Sequence, residues 1–339
     1  MSKVSKEEKK QEEIEIRDVE DTGAIARKAA KKHYHIFVGS DPRLKVTRVP
    51  FDIPLLDKVL GGGLPLGRTV LTVGNFGAGK TFFAQTCMAN FQRKGYTVAY
   101  VDTERRFEPE WFRKSGVDTD KLLVAQPISG ENALDMCAFF VAEKIGLVVL
   151  DSVAALVPMA ELEGGMEDST VASIARLFNK GLRKITELNI ADEDLLYKGT
   201  SFLVINQMRS GIGPYTSYGL PGGQGQQFFS SIILRIMRGS YLEDADKKKI
   251  GFNMKFYTEK NNIAEPLQEC SLPFYFSGMI DTVGGLVELA LDLGIVKQNG
   301  AFFFYDEDKK IQGKQAFIEN LRKDTKLFEI IQKRIYDAQ

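Results

Sequence analysis

The segment GNFGAGKT, at 74–81, has the residue types and spacing of a phosphate-binding loop, G-x-x-x-x-G-K-[ST]. The apolar stretch RTVLTVG precedes it and a helical pattern follows from Lys80, which is the strand–loop–helix context that the motif requires. Lys80 is expected to reach the β- and γ-phosphates of ATP, and Thr81 to offer its hydroxyl to Mg²⁺. The residues predicted to contact the nucleotide here are Gly74, Asn75, Phe76, Gly77, Ala78, Gly79, Lys80 and Thr81.

Two acidic residues stand at or just after the ends of apolar strands. The strand IGLVVLD ends in Asp151, and the strand TVAYVD ends in Asp102 and is followed by Thr103 and Glu104. The carboxyl ends of parallel strands share one edge of a sheet, so both acids are expected near the phosphate loop. Asp151 is then placed to support Mg²⁺, and Glu104 to align an attacking water. The alternative for Glu104 is a solvated loop acid, because acids are common where loops leave strands.

The only tryptophan, Trp111, follows Glu104 by seven residues and lies close to Glu108. A lone indole is more often part of an apolar core than of a cofactor site. Its position after the strand end favours the rim of the nucleotide site, and both interpretations stay open at this point.

The elements that must position these residues alternate between strand and helix from Arg68 onward. The strands are continuous apolar runs, which indicates an α/β fold with a mostly parallel sheet buried on both faces. Before them come about twenty charged residues, an Ala-rich helix capped by Asp21 or Thr22, and a β-like tail, HIFVG. The predicted parts are a mobile arm with an N-terminal oligomerisation helix and strand at 1–45, an ATPase core at 46–275 and a small C-terminal α/β lobe at 276–339.

Composition excludes little. Lys plus Arg and Asp plus Glu are both 45 in 339 residues, so the net charge is zero and any nucleic-acid binding must depend on local basic residues. The three isolated cysteines lack metal-ligand spacing and are predicted to be reduced core residues of an intracellular protein. No apolar run is long enough to cross a bilayer and the N-terminal stretch has no apolar signal segment, so a cytoplasmic protein without a membrane partner is expected.

Taken in order, the motifs resemble those of the bacterial RecA recombinases. They are GGGLPLGR before the phosphate loop, VDTERRFEPEWFRKSGVD after it, then LDSVAALVPMAELEGGMEDS, VINQMR, GGQGQQFFSS and KNNIAEP. The resemblance extends from about Val49 through the last helix and implies a RecA-like core. It also implies that Glu104 activates water, that Glu108 and Trp111 hold adenine, and that Gln207 senses the γ-phosphate.

The resemblance further implies two DNA-binding loops, PMAELEGGMEDSTV and the glycine-rich segment after Gln207. In the second loop, Ile212 is placed to wedge between bases, Arg209 adds charge, and Gly222 and Gly223 are predicted to present backbone N–H groups to phosphates.

The first loop leads into a helix that carries two arginines on one face. Val171 would be the apolar wedge of this loop, and Arg176 and Arg183, seven residues apart, are placed to follow a sugar-phosphate backbone. The alternative for the two arginines is an ordinary solvated helix face.

Three features depart from the family pattern. The segment EKNNIAEP normally carries two lysines that reach the neighbouring subunit's nucleotide, whereas this chain has Lys260 but Asn262. The stretch NIADEDLLYKG, at 189–199, is an apparent acidic insertion and a predicted surface loop. The sequence also ends without the acidic tail of many bacterial members, and its N-terminal arm is longer. A divergent or phage-type member is expected.

The predicted function is an ATP-dependent DNA recombinase. Its protomers would form a helical filament on single-stranded DNA, with ATP and Mg²⁺ between neighbours, and would pair that strand with homologous double-stranded DNA. Two alternatives remain: a ring-forming helicase or translocase of the same fold, and an ATP-switched assembly protein that binds no DNA.

Overall fold

The chain forms two compact units, Met1–Val46 and Thr47–Gln339. The computed structural model describes residues 22–32, 36–164, 171–189, 197–208, 219–244, 246–306 and 309–338. In the first unit, the Ala-rich segment forms helix α1 (Thr22–Ala30), and Asp41 caps a 3₁₀ turn at Pro42–Leu44. The strand predicted in the β-like tail is not formed at residues 36–38. The described part of this unit contains no strand with which the backbone of residues 36–38 could pair.

The second unit contains all the strands of the described chain and the remaining helices. Its strands are β1 Arg48–Val49, β2 Leu64–Pro65, β3 Thr69–Gly74, β4 Val98–Asp102, β5 Leu122–Ala125, β6 Leu147–Asp151, β7 Ser201–Gln207, β8 Ile232–Glu243, β9 Lys249–Asn261, β10 Glu269–Tyr275, β11 Met279–Ile280, β12 Lys297–Asn299, β13 Phe302–Phe304 and β14 Lys310–Gln312. Its helices are α2 Pro54–Leu60, α3 Lys80–Arg93, α4 Pro109–Lys114, α5 Gly130–Ala142, α6 Met159–Glu163, α7 Val171–Leu188, α8 Gly225–Phe229, α9 Thr282–Asp292, α10 Lys314–Lys323 and α11 Thr325–Ala338.

Most of the strands lie in one large sheet with the order β11-β10-β9-β8-β3-β7-β6-β4-β5. Within the part β8-β3-β7-β6-β4-β5 of this order, each strand is parallel to the next. Every residue of β3 is buried, because helices cover both faces of the sheet at its centre. The predicted mostly parallel α/β core is confirmed, and the carboxyl ends of β3, β4, β6 and β7 lie at one edge.

The antiparallel extension formed by β8 to β11 was not predicted. The prediction relied on continuous apolar runs, whereas β9 buries alternate residues, among them Phe252, Met254 and Phe256. Such alternation is typical of a strand with one covered face. Pro273 lies within β10 opposite Asn253, near the edge of this extension.

Apolar layers cover both faces of the sheet. On one face α2 and α3 pack against it, with Phe83 and Phe256 in contact at a ring-centroid distance of 5.6 Å. On the other face α5 and α7 pack, with Phe178 and Phe202 among the buried side chains. These layers fix the strand ends that carry the candidate functional residues.

The C-terminal lobe has its own apolar core, formed by α9 to α11 and the small antiparallel sheet β12-β13-β14. Phe303 and Phe317 stack in it at a centroid distance of 5.8 Å. Asp281 accepts hydrogen bonds from the Gly284 amide at 3.0 Å and from Arg322 of α10 at 2.9 Å. Strand β11, inside the predicted lobe range, pairs with β10 of the large sheet. In the described part of the chain, no helix combines the length and apolar character needed to cross a membrane.

Candidate functional site

The predicted phosphate loop connects the end of β3 to the start of α3. Gly79 is the N-cap of α3 with φ 97°, and it offers no side-chain acceptor to the amides of the first turn. A Cβ at Gly79 would lie 2.3 Å from the Met254 methyl carbon, and one at Gly74 would lie 2.3 Å from the Ile236 carbonyl oxygen. These positions therefore need glycine, and the helix presents free amides and the positive end of its dipole to an anion.

Lys80 lies along the inside of this loop and is 8% exposed. Its ammonium group donates to the carbonyl oxygens of Gly74 at 2.9 Å and Asn75 at 2.8 Å. Burial lowers the pKa of Lys80, while the charges of Asp151 and Glu104 act in the opposite direction. The loop therefore already holds a desolvated cation where phosphate oxygens would bind.

Thr81 and Asp151 form an oxygen pair beside Lys80. The Thr81 hydroxyl donates to Asp151 Oδ2 at 2.8 Å, and the Tyr100 hydroxyl donates to the same oxygen at 3.1 Å. Burial raises the pKa of Asp151 to about 6, although both hydrogen bonds favour the ionised form. Among the described residues, no group of three or more His, Cys, Asp or Glu side chains could hold a metal by itself. The oxygen pair fits Mg²⁺, which takes few protein ligands and completes its shell with phosphate and water.

Glu104 is held from three sides by hydrogen bonds and an ion pair. Its Oε1 accepts from the Ser152 hydroxyl at 2.7 Å and from the Gln207 side-chain amide at 3.2 Å. Its Oε2 lies 3.0 Å from Arg106 Nη1. The ends of β4, β6 and β7 supply these groups, because the three strands are neighbours in the sheet.

These groups surround one open cleft of about 190 Å³, named here the phosphate cleft. Its lining residues are Phe76, Gly77, Gly79, Lys80, Thr81, Phe82, Glu104, Arg106, Asp151, Ile205 and Gln207. The structure thus brings together Lys80, Thr81, Glu104, Asp151 and Gln207, all of which were predicted to act together. Sequence reasoning missed Ser152 and Arg106, although each lies within two residues of a predicted site residue.

Glu108 and Trp111 lie outside the lining of the phosphate cleft. Glu108 is the N-cap of α4 and accepts from the Glu110 amide at 3.4 Å. Trp111 is 38% exposed, so the alternative that places it in the core is wrong. An indole with this exposure is free to contact a ligand at the protein surface.

Lys260 and Asn262 lie at and beyond the end of β9, also outside the cleft lining. The Lys260 ammonium donates to the carbonyl oxygens of Gln227 at 2.7 Å and Phe228 at 3.4 Å. Burial lowers the pKa of Lys260. Asn262 is exposed, and its backbone N–H donates to the Ser231 carbonyl at 2.9 Å.

The two ends of the glycine-rich segment are tied together by Asn206 and Gln226. Asn206 Nδ2 donates to the Pro221 carbonyl and to Gln226 Oε1, both at 2.8 Å, and its Oδ1 accepts from the Gln207 amide at 2.9 Å. Gln226 Nε2 in turn donates to the Pro221 carbonyl at 2.7 Å and the Gly223 carbonyl at 2.8 Å. This clamp, which sequence reasoning also missed, joins the far end of the segment to the residue before Gln207.

The segment then packs on α7. Gly222 is buried with φ 84°, and a Cβ there would lie 3.0 Å from a ring carbon of Phe178 on α7 and 2.8 Å from a Val153 methyl group. Gly223 is half-buried with φ 75°, and a Cβ there would lie 3.0 Å from the Ala175 methyl group. Packing and backbone conformation together account for both glycines.

The remaining predicted DNA contacts are only partly described. Arg176 and Arg183 are both exposed on α7, and Val171 is the first residue of that helix. Arg209 and Ile212 lie outside the described residues, as do residues 165–170 of the first predicted loop and 190–196 of the insertion.

Comparison with known proteins agrees with the order of the motifs. Residues 22–281 match the family model described as RecA N-terminal domain, and residues 284–339 match that described as RecA C-terminal domain. Protein RecA of Acidothermus cellulolyticus is 37% identical over 304 residues, covering 88% of this chain and 86% of that protein. Protein RecA of Thermus aquaticus is 36% identical over 306 residues, covering 88% of each. Protein RecA of Cutibacterium acnes is 38% identical over 293 residues, covering 84% of this chain and 80% of that protein.

Proposed function

This chain belongs to the RecA family and is an ATP-dependent DNA recombinase, and we propose that ATP binds and is hydrolysed in its phosphate cleft. One observation carries the proposal, the hydrogen bond from Gln207 to Glu104. This bond links Glu104, the carboxylate that we expect to accept a proton from water, with Gln207, the residue at the start of the glycine-rich segment. A nucleotide-dependent DNA enzyme needs such a connection between its two sites.

Four residues of the cleft have a defined task in hydrolysis. Lys80 exchanges its backbone carbonyl partners for β- and γ-phosphate oxygens, and Thr81 and Asp151 hold Mg²⁺, which offsets phosphate charge when bound. Glu104 accepts a proton from the water that attacks the γ-phosphorus. The bond from that phosphorus to the β–γ bridging oxygen breaks, and ADP and phosphate leave.

Adenine binds on the rim formed by Glu108 and Trp111. The exposed indole of Trp111 offers an aromatic face for stacking, and Glu108 lies one helical turn before it. This part of the site is open because it is shaped by the start of α4 and not by the sheet.

Signalling from nucleotide to DNA passes through Gln207 and Asn206. A γ-phosphate that attracts the Gln207 amide draws it from Glu104, and Asn206 is the next residue along β7. Because Asn206 also holds Pro221 and Gln226, a shift at Gln207 reaches both ends of the glycine-rich segment. DNA binding to that segment, to Arg176 and to Arg183 then depends on the nucleotide.

Lys260 completes the site of a neighbouring protomer. Among the residues that the structure describes, its ammonium donates to two backbone carbonyls and no acidic side chain, and Asn262 brings an amide without a cation. A protomer stacked on the next one would supply this single cation to the γ-phosphate, which favours a filament with ATP at each junction.

Electron microscopy tests the proposal directly. The protein is mixed with single-stranded DNA and a non-hydrolysable ATP analogue, and strand exchange with homologous duplex is measured in parallel with ATP. Helical filaments and nucleotide-dependent exchange are expected. Closed rings would favour a translocase, and the absence of any DNA complex would favour the DNA-free switch.

A further inference from the structure

Among the described residues that line the phosphate cleft, Arg106 is the one that is both cationic and exposed, and it contacts Glu104 directly. We propose that Arg106 is a γ-phosphate sensor within the same chain. Its guanidinium pairs with Glu104 when no γ-phosphate is present and transfers to the γ-phosphate when ATP binds. The inference rests on the proposed function of the cleft and adds a residue that neither the motifs nor the comparisons assign.

The present contacts of Glu104 leave it poorly placed to accept a proton from water. Oε1 already accepts two hydrogen bonds, from Ser152 and Gln207, and Oε2 faces Arg106. With Arg106 Nη1 at 3.0 Å from Oε2, a water would have to displace this partner before it could donate to that oxygen. Of the three partners, Ser152 is fully buried, whereas the Arg106 side chain is 70% exposed and can leave without disturbing the core.

The ion pair can open without leaving Glu104 unpartnered. The Arg106 side chain is 70% exposed and the Glu104 side chain 16%, and Ser152 and Gln207 donate to Oε1 of Glu104 independently of Arg106. A guanidinium matches the geometry of phosphate oxygens and binds them with paired, charge-assisted hydrogen bonds. The γ-phosphate would enter the same cleft that Arg106 lines, so the arginine has a stronger partner within reach of a side-chain rotation.

The backbone around Arg106 is fixed, so the movement is confined to the side chain. Before it, the Thr103 amide donates to the Asp151 carbonyl at 2.9 Å. After it, the Phe107 amide donates to Asp102 Oδ2 at 2.9 Å, and the Phe107 ring packs on Phe112 at a centroid distance of 4.6 Å. A sensor attached to such a frame responds to the ligand and not to loop motion.

The preceding residue, Arg105, supplies an internal control. Arg105 has φ 54°, and this left-handed turn directs its side chain away from the cleft, where Nη2 donates to the Pro127 carbonyl at 3.4 Å. Arg105 lines a different depression, together with Ile128 and Leu162. Two adjacent arginines therefore carry the same charge but face different surroundings.

Transfer of Arg106 has two consequences for hydrolysis. It frees Oε2 of Glu104 for the attacking water, and it brings to the γ-phosphate a second cation from the same chain, in addition to Lys80. The neighbouring protomer's Asn262 supplies no cation, so Arg106 provides the missing charge from within the chain. When phosphate leaves, Arg106 returns to Glu104 and the base is blocked again.

Calorimetric titration of the full-length protein without DNA, using Mg·ADP and Mg·adenylyl imidodiphosphate, tests the proposal. Arg106→Gln should lose about tenfold in affinity for the triphosphate analogue and less than twofold for ADP. Arg106→Lys should recover part of the loss, because it restores the charge but not the fork of donors. Arg105→Gln should change neither affinity. Equal losses for both nucleotides in Arg106→Gln, or no loss for either, would overturn the proposal.

Lys80→Ala separates this inference from the function on which it depends. It should lose affinity for both nucleotides. If it does so while Arg106→Gln binds both as the wild type does, the cleft is correctly assigned and only the sensor is wrong. If Lys80→Ala keeps both affinities, the cleft is not the nucleotide site and both proposals fail.

Discussion

Lys80 in the phosphate cleft and Lys260 at the end of β9 have the same hydrogen bonds but different surroundings. Each ammonium donates to the carbonyls of two consecutive residues of its own chain. The cleft places Asp151 and Glu104 near Lys80, and their charges offset part of the effect of burial on its pKa. For Lys260, burial alone lowers the pKa. Lys80 thus lies beside acidic groups of its own chain, and for Lys260 we propose a partner in a neighbouring protomer.

From this difference we infer that one protomer organises its phosphate cleft by itself, whereas the region around Lys260 acts only in an assembly of protomers. The phosphate cleft is organised before any ligand arrives, since glycine packing, strand ends and buried hydrogen bonds fix its polar groups. The region around Lys260 carries an exposed Phe228, 80% accessible, and no acidic group against the ammonium among the described residues. Substitutions in the two regions should therefore fail in different ways.

The largest effect is expected in the cleft, from Lys80→Ala. Loss of the only cation inside the loop should abolish nucleotide binding, ATP turnover and filament formation together.

Glu104→Gln should keep binding but reduce turnover about a hundredfold or more, leaving long-lived filaments, because only water activation is lost. The measurements are nucleotide titration and steady-state phosphate release. Lys94→Ala, at the other end of α3 in an exposed ion pair with Asp52, should match the wild type.

The next effect distinguishes the second region from the first. Lys260→Ala should bind ATP as a free protomer with unchanged affinity, yet reduce DNA-dependent turnover about a hundredfold, because the neighbour's γ-phosphate loses its cation. Titration of the free protein and phosphate release on saturating single-stranded DNA provide the two numbers. Lys297→Ala on the lobe is the matched control. Full turnover in Lys260→Ala would mean that the neighbour's cation comes from elsewhere and that this segment is misaligned.

A smaller effect is expected from Asn262→Lys, which adds a positive charge two residues after Lys260. Asn262→Lys should raise DNA-dependent turnover several-fold, because it presents a second cation to the neighbouring nucleotide. Turnover without DNA should stay the same, since no neighbour is then present. A rise that is equal with and without DNA would place residue 262 outside the junction between protomers.

The smallest expected effect is spectroscopic. Trp111 is the only tryptophan and is partly exposed, so its emission should change when ATP saturates the protein and not when DNA is added alone. Glu104→Gln should show the same change, because it binds nucleotide normally. An emission spectrum that ignores saturating ATP would remove Trp111 from the adenine rim.

The sequence was most informative where function follows a strand end directly. The loop at 74–81 and Asp151 could be predicted because each lies at the carboxyl end of an apolar strand, and parallel strands bring such ends together. Gln207 was predicted only from the resemblance to the RecA family. Neither the Glu104–Gln207 bond, which joins residues 103 positions apart, nor the clamp between Asn206 and Gln226 could be predicted. Spacing along the chain does not specify the direction of a side chain at a loop or strand end.

The antiparallel strands and the two adjacent arginines show the same limit. Strand β9 was missed because only one of its faces is fully covered, so its buried residues alternate instead of forming a run. Arg105 and Arg106 are the same residue type in one turn, yet the left-handed conformation of Arg105 sends them to different partners.

By itself the sequence determined the fold class, the phosphate loop and the family of this protein, because these depend on local spacing, hydrophobic period and motif order. Only the tertiary structure decided which groups hold Glu104, that in the described part of the chain Lys260 has no acidic partner, and that Arg106 faces the cleft. The reason is physical. Hydrogen bonds and ion pairs depend on distances of about 3 Å between atoms that the sequence separates widely, and packing alone brings them that close.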